Sequence, residues 1–536
     1  MTILTTVLTS SALRLFQPLR ACSPAASVNE SLDAVETRRA VDYGQQWRID
    51  LLTTTGRSCM TMDSANPLFS RRDFLTHASV VAGGAGVVAL WDRIAWSDSP
   101  TISARGLQMA TFRFDATPPK GHGCCGGWIK PVEAVDDPQE GLGFVLVGAG
   151  KPVVVCTIDW TGILNSGHVE FRQALADAAG TTPDRVALQC VHQHNAPFAC
   201  PDTQKILTAE GDLPATLDLD FFRRTIAAAA AAVKSALGQV KPVTHVAHGQ
   251  ARVKEVASNR RFLGEDGKIS SWRGSATKDA KLQALPEGLI DPFLKTVAFY
   301  SGERKLAALH YYACHPMSYY GDGRVTADFP GLARRRRQQD DPGALHIYFT
   351  GAAGNIAAGK YNEGTPESRR RLTDRIFEAI TASEQSLTPQ AVETFAWQTA
   401  DLHLVPNPAF DAARTEAQIH DKKAGAAGRS RPAFVIAFQK RCEQRIPIVL
   451  SALHLNDVSL LHLPAESFLE YQLRAQETAP KRFVATAAYG DGGPWYIPVK
   501  EAYPQGGYEV SVAFSSDQSD AFMTKAIQGL LAPQTT

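Results

Sequence analysis

An α/β fold of layered sheets flanked by helices is what this 536-residue chain predicts, and three observations carry the expectation. Short apolar, β-branched runs alternate with amphipathic helical stretches along most of the length. The runs close in corners rich in Gly, Asn or Pro, as strands do. Several of them then hand over directly to a histidine or a carboxylate. The length admits two or more domains, or one large α/β domain.

Charge excludes one class of partner. With 55 basic against 54 acidic residues and a net charge of +1, nothing in the chain suggests binding to nucleic acid. The one basic run, Arg334 to Arg337, follows DFPGLA and leads into QQDD. It reads as the exposed face of a helix rather than as a phosphate patch.

Residues 1–61 show no sustained period and are expected to be a non-native extension, with translation starting at Met60 or Met62, or else a disordered tail. Residues 62–100 resemble a bacterial twin-arginine export signal: a polar lead, the Arg71-Arg72 pair in SRRDFL, and a mildly apolar run of 13 residues from Ala78 to Leu90. That run is short for a membrane span. The segment IAWSDSP, residues 94–100, is a candidate cleavage site, and an uncleaved anchor stays open. The chain is therefore expected to be exported to the periplasm by the twin-arginine machinery. Of nine cysteines, seven lie beyond the signal and none forms a CxxC. Cys190 and Cys200 could bridge the loop between them or stay as buried thiols.

The folded part is expected over residues 105–536. MATFRFDATPP alternates and breaks at Pro118-Pro119, as an edge strand running into a glycine-rich loop would. LGFVLVGAGKPVVVCTIDW reads as a hairpin, and HVEFRQALADAA as a helix. RVALQC is a strand that delivers CVHQHNAPFAC, where Pro197 stops any continuation as a helix. In an extended segment His192 and His194 point to one side, which suits a metal site as well as ordinary polar histidines at a strand end. LDLDFFRRTIAAAAAAVKSALGQ is an amphipathic helix, VTHVAHGQARV a strand, and SNRRFL carries Arg260 and Arg261.

The same grammar recurs. The strand LAALHYYAC delivers His315 before Pro316, and Asp328 either caps the next helix or orients a histidine. HIYFTGAAGN runs into a Gly/Ala loop that lacks the P-loop pattern. SRRRLTDRIFEAITASEQS is helical, VETFAWQTADLHLV strand-like, and HDKKAGAAGRSRPA a polar surface segment. IPIVLSALHLNDVSLLHLPAES places Glu466 after two apolar strands, either as a site carboxylate or as a first-turn helix residue. The last segment carries Tyr489, Tyr496, Tyr503 and Tyr508 among Gly and Pro, where aromatics can equally be packing.

His192, His315 and Glu466 each follow an apolar strand, and strand ends gather along one edge in layered α/β proteins. Two histidines and a glutamate form a zinc set with one position open to water, which supplies hydroxide for attack on a carbonyl. Imidazole and carboxylate also serve manganese or iron.

Taken in order, these segments resemble the neutral ceramidase family, zinc amidases that hydrolyse the N-acyl bond of ceramide. HQHNAP stands where the family has HTHSGP, NRRF where it has NRSP, YYACHPMS where it has WFAxHxTSM, and AES where it has a GEF-type glutamate. YIPVKEAYPQGGYE, residues 496–509, matches YxTTxEEYxxxxYE in all three tyrosines and the last glutamate. The resemblance implies a ceramidase-like catalytic domain with Zn2+ held by His192, His315, Glu466 and Tyr496. It also implies His194 as the group that assists proton transfer, Arg260 lining the site, and Tyr508 or Tyr503 as a donor to the developing oxyanion. Two departures accompany it. Ala357, in Gly354-Asn355-Ile356-Ala357-Ala358, falls where the family has an essential serine. The C-terminal immunoglobulin-like domain of the family is expected to be absent.

The leading expectation is an exported zinc-dependent hydrolase of an amide or N-acyl bond, with zinc-activated water attacking the carbonyl. Its substrate would be a small molecule or a lipid, and a lipid would bring peripheral membrane contact. The alternative is a non-catalytic binding protein that keeps the pocket, and a structural protein without metal is the third class.

Overall fold

A computed structural model describes residues 49–53, 56–60, 94–98 and 100–532. They fall into two units, divided between Gly83 and Gly84. Among its described residues the first holds one antiparallel hairpin, Ile49–Thr53 with Gly56–Met60. The arginine pair and apolar run of the expected export signal lie outside the described residues.

The second unit is a mixed α/β fold of several sheets flanked by helices, and three large sheets share one design. In the first, the order is Val186–Cys190, Val153–Ile158, Glu140–Val147, Gln108–Asp115 and Lys241–Pro242. In the second it is Leu345–Thr350, Arg304–Tyr312, Phe293–Ser301, His245–Arg252 and Gln390–Ala391. In the third it is Phe483–Ala487, Val458–His462, Ile448–Leu455, Thr394–Leu402 and Ile94–Asp98, with Ile102–Ser103 also paired to Thr394–Leu402. Each is an antiparallel meander that gains one parallel strand at its first-named edge. The candidate cleavage segment 94–100 thus contributes an edge strand, so a cut within 94–98 would disrupt that pairing.

These sequences become strands because they must be apolar on both faces. VVVCTI, VALQC and LHIYFT are buried at every residue, the pattern of strands covered by helices on one side and by another sheet on the other. Phe144 and Phe299, from the first and second sheets, meet with ring centroids 5.5 Å apart in the interior they share with Trp397 and Leu453 of the third. Helices cover the outer faces. Leu219–Leu237 lies on the first sheet with Phe222, Ile226, Ala229 and Val233 buried at helical spacing, and Asp218 caps it by accepting from the Asp220 and Phe221 amides.

Two sequence expectations are corrected. Arg334–Arg337 do lie on a helix, Asp328–Asp340, but not as its exposed face. Arg334 is fully buried and pairs with Glu140 at 2.8 Å, Arg335 reaches Asp137 and Glu140, and Arg337 pairs with Glu384. Only Arg336 of the four is exposed. Remote carboxylates turn a basic run inward, which composition cannot show. The segment HDKKAGAAGRSRPA is not simply surface either. It enters the helix Ala426–Glu443, whose Ala433, Phe434 and Phe438 are core and whose Arg429 is buried on Glu210 and Asp212.

Candidate metal centre

The parallel pair of each sheet ends at the same place. Cys190 pairs with Ile158, Tyr312 with Thr350, and His462 with Ala487 as the last rungs of their ladders. Beyond these carboxyl ends the chain leaves ladder geometry, and the loops of the three sheets tie to one another. The Cys190 amide donates to the Tyr489 carbonyl at 2.8 Å, the Ala488 amide to Thr350 at 2.9 Å, and the Thr350 hydroxyl to Val191 at 2.6 Å. Crevices outside strand carboxyl ends are where α/β folds place sites, and His192, His315 and Glu466 all lie in this one.

His192 is not in the extended segment its spacing predicts. Its φ is 79°, a left-handed conformation that is costly outside glycine. The loop holds it there through the His192 amide on Trp160 at 2.9 Å and through Thr161, whose hydroxyl donates to Gln193 at 2.8 Å. His192 and His194 still face one cavity, with ring centroids 4.8 Å apart. His315 is fixed by its amide on the Ile356 carbonyl at 3.0 Å and by a bridge to Ala357. Glu466 stands in a short strand, Glu466–Ser467, parallel to Tyr496–Ile497 and three residues ahead of the helix Leu469–Thr478. Gly354 makes this possible, since a Cβ there would lie 2.4 Å from the Glu466 carbonyl oxygen.

The three side chains converge. His192 Nε2 lies 3.2 Å from His315 Nε2, and Glu466 Oε2 is 3.2 Å from the first and 3.0 Å from the second. All three residues are buried. Each imidazole spends its other nitrogen on a carbonyl: His192 Nδ1 on Thr161 at 2.6 Å and His315 Nδ1 on Ala353 at 2.7 Å. A carbonyl can only accept, so both Nδ1 atoms carry the proton and both Nε2 lone pairs point inward. Two neutral imidazoles and a carboxylate then aim three lone pairs at one another, an arrangement that a cation between them resolves. The donor set therefore fits a metal ion, and the His192, His194 and His315 nitrogens also lie within 4.8 Å of one another.

Protons on those Nε2 atoms would act as such a cation does: burial pushes the Glu466 carboxyl up, but positive charge and N–H donation from the imidazole side more than offset it and hold it well below the usual carboxylate range. Burial lowers the His315 pKa, and burial with the neighbouring His192 and His315 lowers that of half-buried His194 well below 6.5. His194 Nδ1 lies 3.1 Å from the His192 carbonyl, which leaves its Nε2 as the free nitrogen.

Tyr496 and Arg260 complete the inner wall. Arg260 donates to the Tyr496 hydroxyl at 3.3 Å, lies 3.4 Å from Glu509, and stacks on Trp272 at 4.6 Å. Burial alone would lower its pKa, but Tyr496 and Glu509 raise it above the ordinary value. Tyr508 lines the same cavity, of about 320 Å³, and burial and Glu466 push its phenol up to about 12. Tyr503 is elsewhere: its hydroxyl donates to the Ser515 carbonyl at 2.8 Å, and it is not among the residues lining the cavity. Asp328 touches no site histidine; it accepts from the Ser318 and Phe329 amides and lies 3.6 Å from Arg369. Cys190 and Cys200 are buried free thiols.

Sequence reasoning gave no role to four contributors. Tyr489, noted only as a loop aromatic, has φ 63° and stacks on His192 at 4.2 Å. Glu509, fully buried, binds Trp272 Nε1 at 2.8 Å and Arg261 at 2.9 Å, and so fixes the arginine wall. Cys125 and Trp128 line the cavity from a CCGG turn whose only signal was its glycines.

Fold and site together define a mixed α/β protein with a candidate metal cluster. No protein-family model matches the chain, and no curated protein does. Among solved structures it resembles a neutral ceramidase from Pseudomonas aeruginosa, with a TM-score of 0.58 and 15% identity over 80% of this chain and 74% of that one. It also resembles a ceramidase complexed with C2, with a TM-score of 0.59 and 15% identity over 80% and 76%. At that identity the likeness establishes a shared fold.

Proposed function

We propose that the protein is a zinc-dependent hydrolase of an amide or N-acyl bond. The observation that carries this reading is the convergence of two Nε2 lone pairs and the Glu466 carboxylate on one point. His192, His315 and Glu466 would hold the ion, with Tyr496 as the fourth protein ligand. When bound, zinc would polarise a carbonyl and lower the pKa of a water molecule.

The chain's own residues would supply the rest. His194, with Nδ1 committed to a backbone carbonyl, presents Nε2 to take a proton from the attacking water and return it to the leaving amine. Arg260 and Tyr508 face the cavity as a held cation and a protonated phenol, and would steady negative charge on the carbonyl oxygen. The exposed aromatics Trp272, Tyr320 and Tyr508 at the cavity suit a lipid or amphiphilic substrate met at a membrane surface. Export fits the same reading: residues 62–100 would be a twin-arginine signal that delivers the domain folded to the periplasm, and 1–61 would not belong to the native chain. The N-terminal sequence of the native protein tests that.

Elemental analysis of His192→Ala and Glu466→Ala tests the centre. We expect the zinc content to fall from about one equivalent to near none in both, together with N-acyl hydrolysis. A full equivalent retained in both variants would count decisively against the proposal. A second reading, a binding protein without turnover, draws on Ala357, which offers no hydroxyl beside His315. Full zinc content with no hydrolysis across a panel of N-acyl amides would favour it.

A further inference from the structure

Beside the metal cavity lies a second one of about 500 Å³, and Trp128 and Arg431 line both. Helix Ala426–Glu443 forms one wall of the second cavity with Ala427, Arg431 and Val435, which at a spacing of four share a face. Phe410 and Pro432 add to a surface that is largely apolar. It is a cleft open to solvent, with Asp421, Ala427 and Arg431 exposed along it, and its apolar floor suits a hydrocarbon chain.

Arg431 is the exception on that face. Two residues earlier, Arg429 is buried on Glu210 and Asp212 at 3.2 and 2.9 Å. Arg431, among the described residues, makes no ion pair; its guanidinium lies 5.9 Å from the centre of the Trp495 ring. It is exposed and lines both cavities, so its charge stands where the two meet. Two further donors wait nearby. Trp128 Nε1 and Trp495 Nε1 are buried without an acceptor among the described residues, and both rings line the metal cavity, 5.1 Å apart. Buried donors are nearly always paired, with protein, ordered water or a ligand, and a ligand in the metal cavity would be in reach of both. Asp421 lines only the second cavity, which disfavours an anion deep inside it and leaves the junction at Arg431 as its place.

We infer that the substrate is an anionic amphiphile: an N-acyl compound whose acyl chain runs past Trp128 into the second cavity and whose acidic group sits against Arg431. The inference rests on the hydrolytic reading of the metal centre. The guanidinium and the indole N–H groups would donate to the acid, while each methylene buried in the cavity would tighten binding roughly fourfold.

Binding probes that cannot turn over separate the two claims. N-(dodecylsulfonyl)glycine and its uncharged glycinamide differ only in the acidic group, and titration calorimetry on the full-length protein reads both. The anionic probe should bind at least tenfold more tightly, Arg431→Gln should erase that ratio, and Ala427→Trp should weaken dodecyl probes far more than butyl ones. Equal binding of the two probes by the native protein, a ratio that survives Arg431→Gln, or an Ala427→Trp protein indifferent to chain length would each overturn the inference. Absence of turnover on N-dodecanoylglycine with the binding ratio intact would instead sink the hydrolytic reading and leave the anion subsite standing.

Discussion

His192, His315 and Glu466 meet at the carboxyl ends of the sheets, while Asp341, His346 and Glu384 meet at the opposite end of the second sheet, and both sets bring ligand-type side chains within reach of one ion. In the second set the positive charge is already protein. Lys305 Nζ lies 2.8 Å from Asp341 and 2.6 Å from Glu384, and Arg337 pairs with both. His346 Nε2 faces Asp341 at 3.2 Å, while its Nδ1 meets His310 at 3.0 Å. Around Glu466, by contrast, the basic groups in reach among the described residues are the two imidazoles, and Arg260 is turned toward Glu509. The same residue types thus make an ion-pair network where a lysine enters and a candidate metal centre where none does.

Lys305→Met should break that distinction with the largest effect. Losing the ammonium leaves Asp341 and Glu384 with Arg337 as their remaining cation, at a cost of about 1–3 kcal/mol. Fully buried pairs lose about 3–5 kcal/mol, and the partial exposure of Lys305 and Asp341, 19% and 24%, screens the remainder. The vacated position should also accept zinc, so added zinc should raise the unfolding temperature of Lys305→Met by more than it raises that of the unsubstituted protein, where it acts through the first centre alone. Thermal unfolding of both at several zinc concentrations reads the difference; an equal response would show that an absent lysine is not what makes a metal centre.

One side of this contrast, the metal centre, was legible in the sequence, and the illegible part has a common cause. Strands such as VVVCTI and LHIYFT declare themselves because burial on both faces demands continuous apolar residues. The histidines and Glu466 stood out because each follows such a strand. What pairs with what was hidden: Arg334 is buried because Glu140 and Asp159, nearly two hundred residues away, come to meet it. Tyr489 lies against His192 through a left-handed backbone conformation that no local pattern encodes. Helix Ala426–Glu443 escaped because its Gly, Ala and Arg residues mask a face that only neighbouring elements make apolar.

Acid should weaken the ion-pair cluster through its histidines. Burial lowers the pKa of His310 and of His346, in the first case aided by the other imidazole. The fold therefore disfavours their protonation, while the unfolded chain takes up protons near pH 6.5. Their contribution is complete above that value. It declines as pH falls below it, by about 1.4 kcal/mol per pH unit for each imidazole that stays neutral in the fold. Urea unfolding at pH 7.5 and 5.5 should show this decline, and His310→Gln should make it shallower by up to one proton. An unchanged slope in that variant would mean that His310 does not take part.

The smallest effect separates two tyrosines of one loop by the same rule, that surroundings rather than residue type decide the role. Tyr503 and Tyr508 both match the tyrosine pattern, yet Tyr508 lines the metal cavity and Tyr503 gives its hydroxyl to Ser515. Tyr503→Phe should lose that hydrogen bond at a cost of about 1 kcal/mol. It should keep zinc content and N-acyl hydrolysis within about twofold, since a hydroxyl committed to the backbone has no proton to offer a substrate. Unfolding and hydrolysis measured on the same preparation decide the matter. A large fall in rate without a fall in stability would return Tyr503 to the reacting groups.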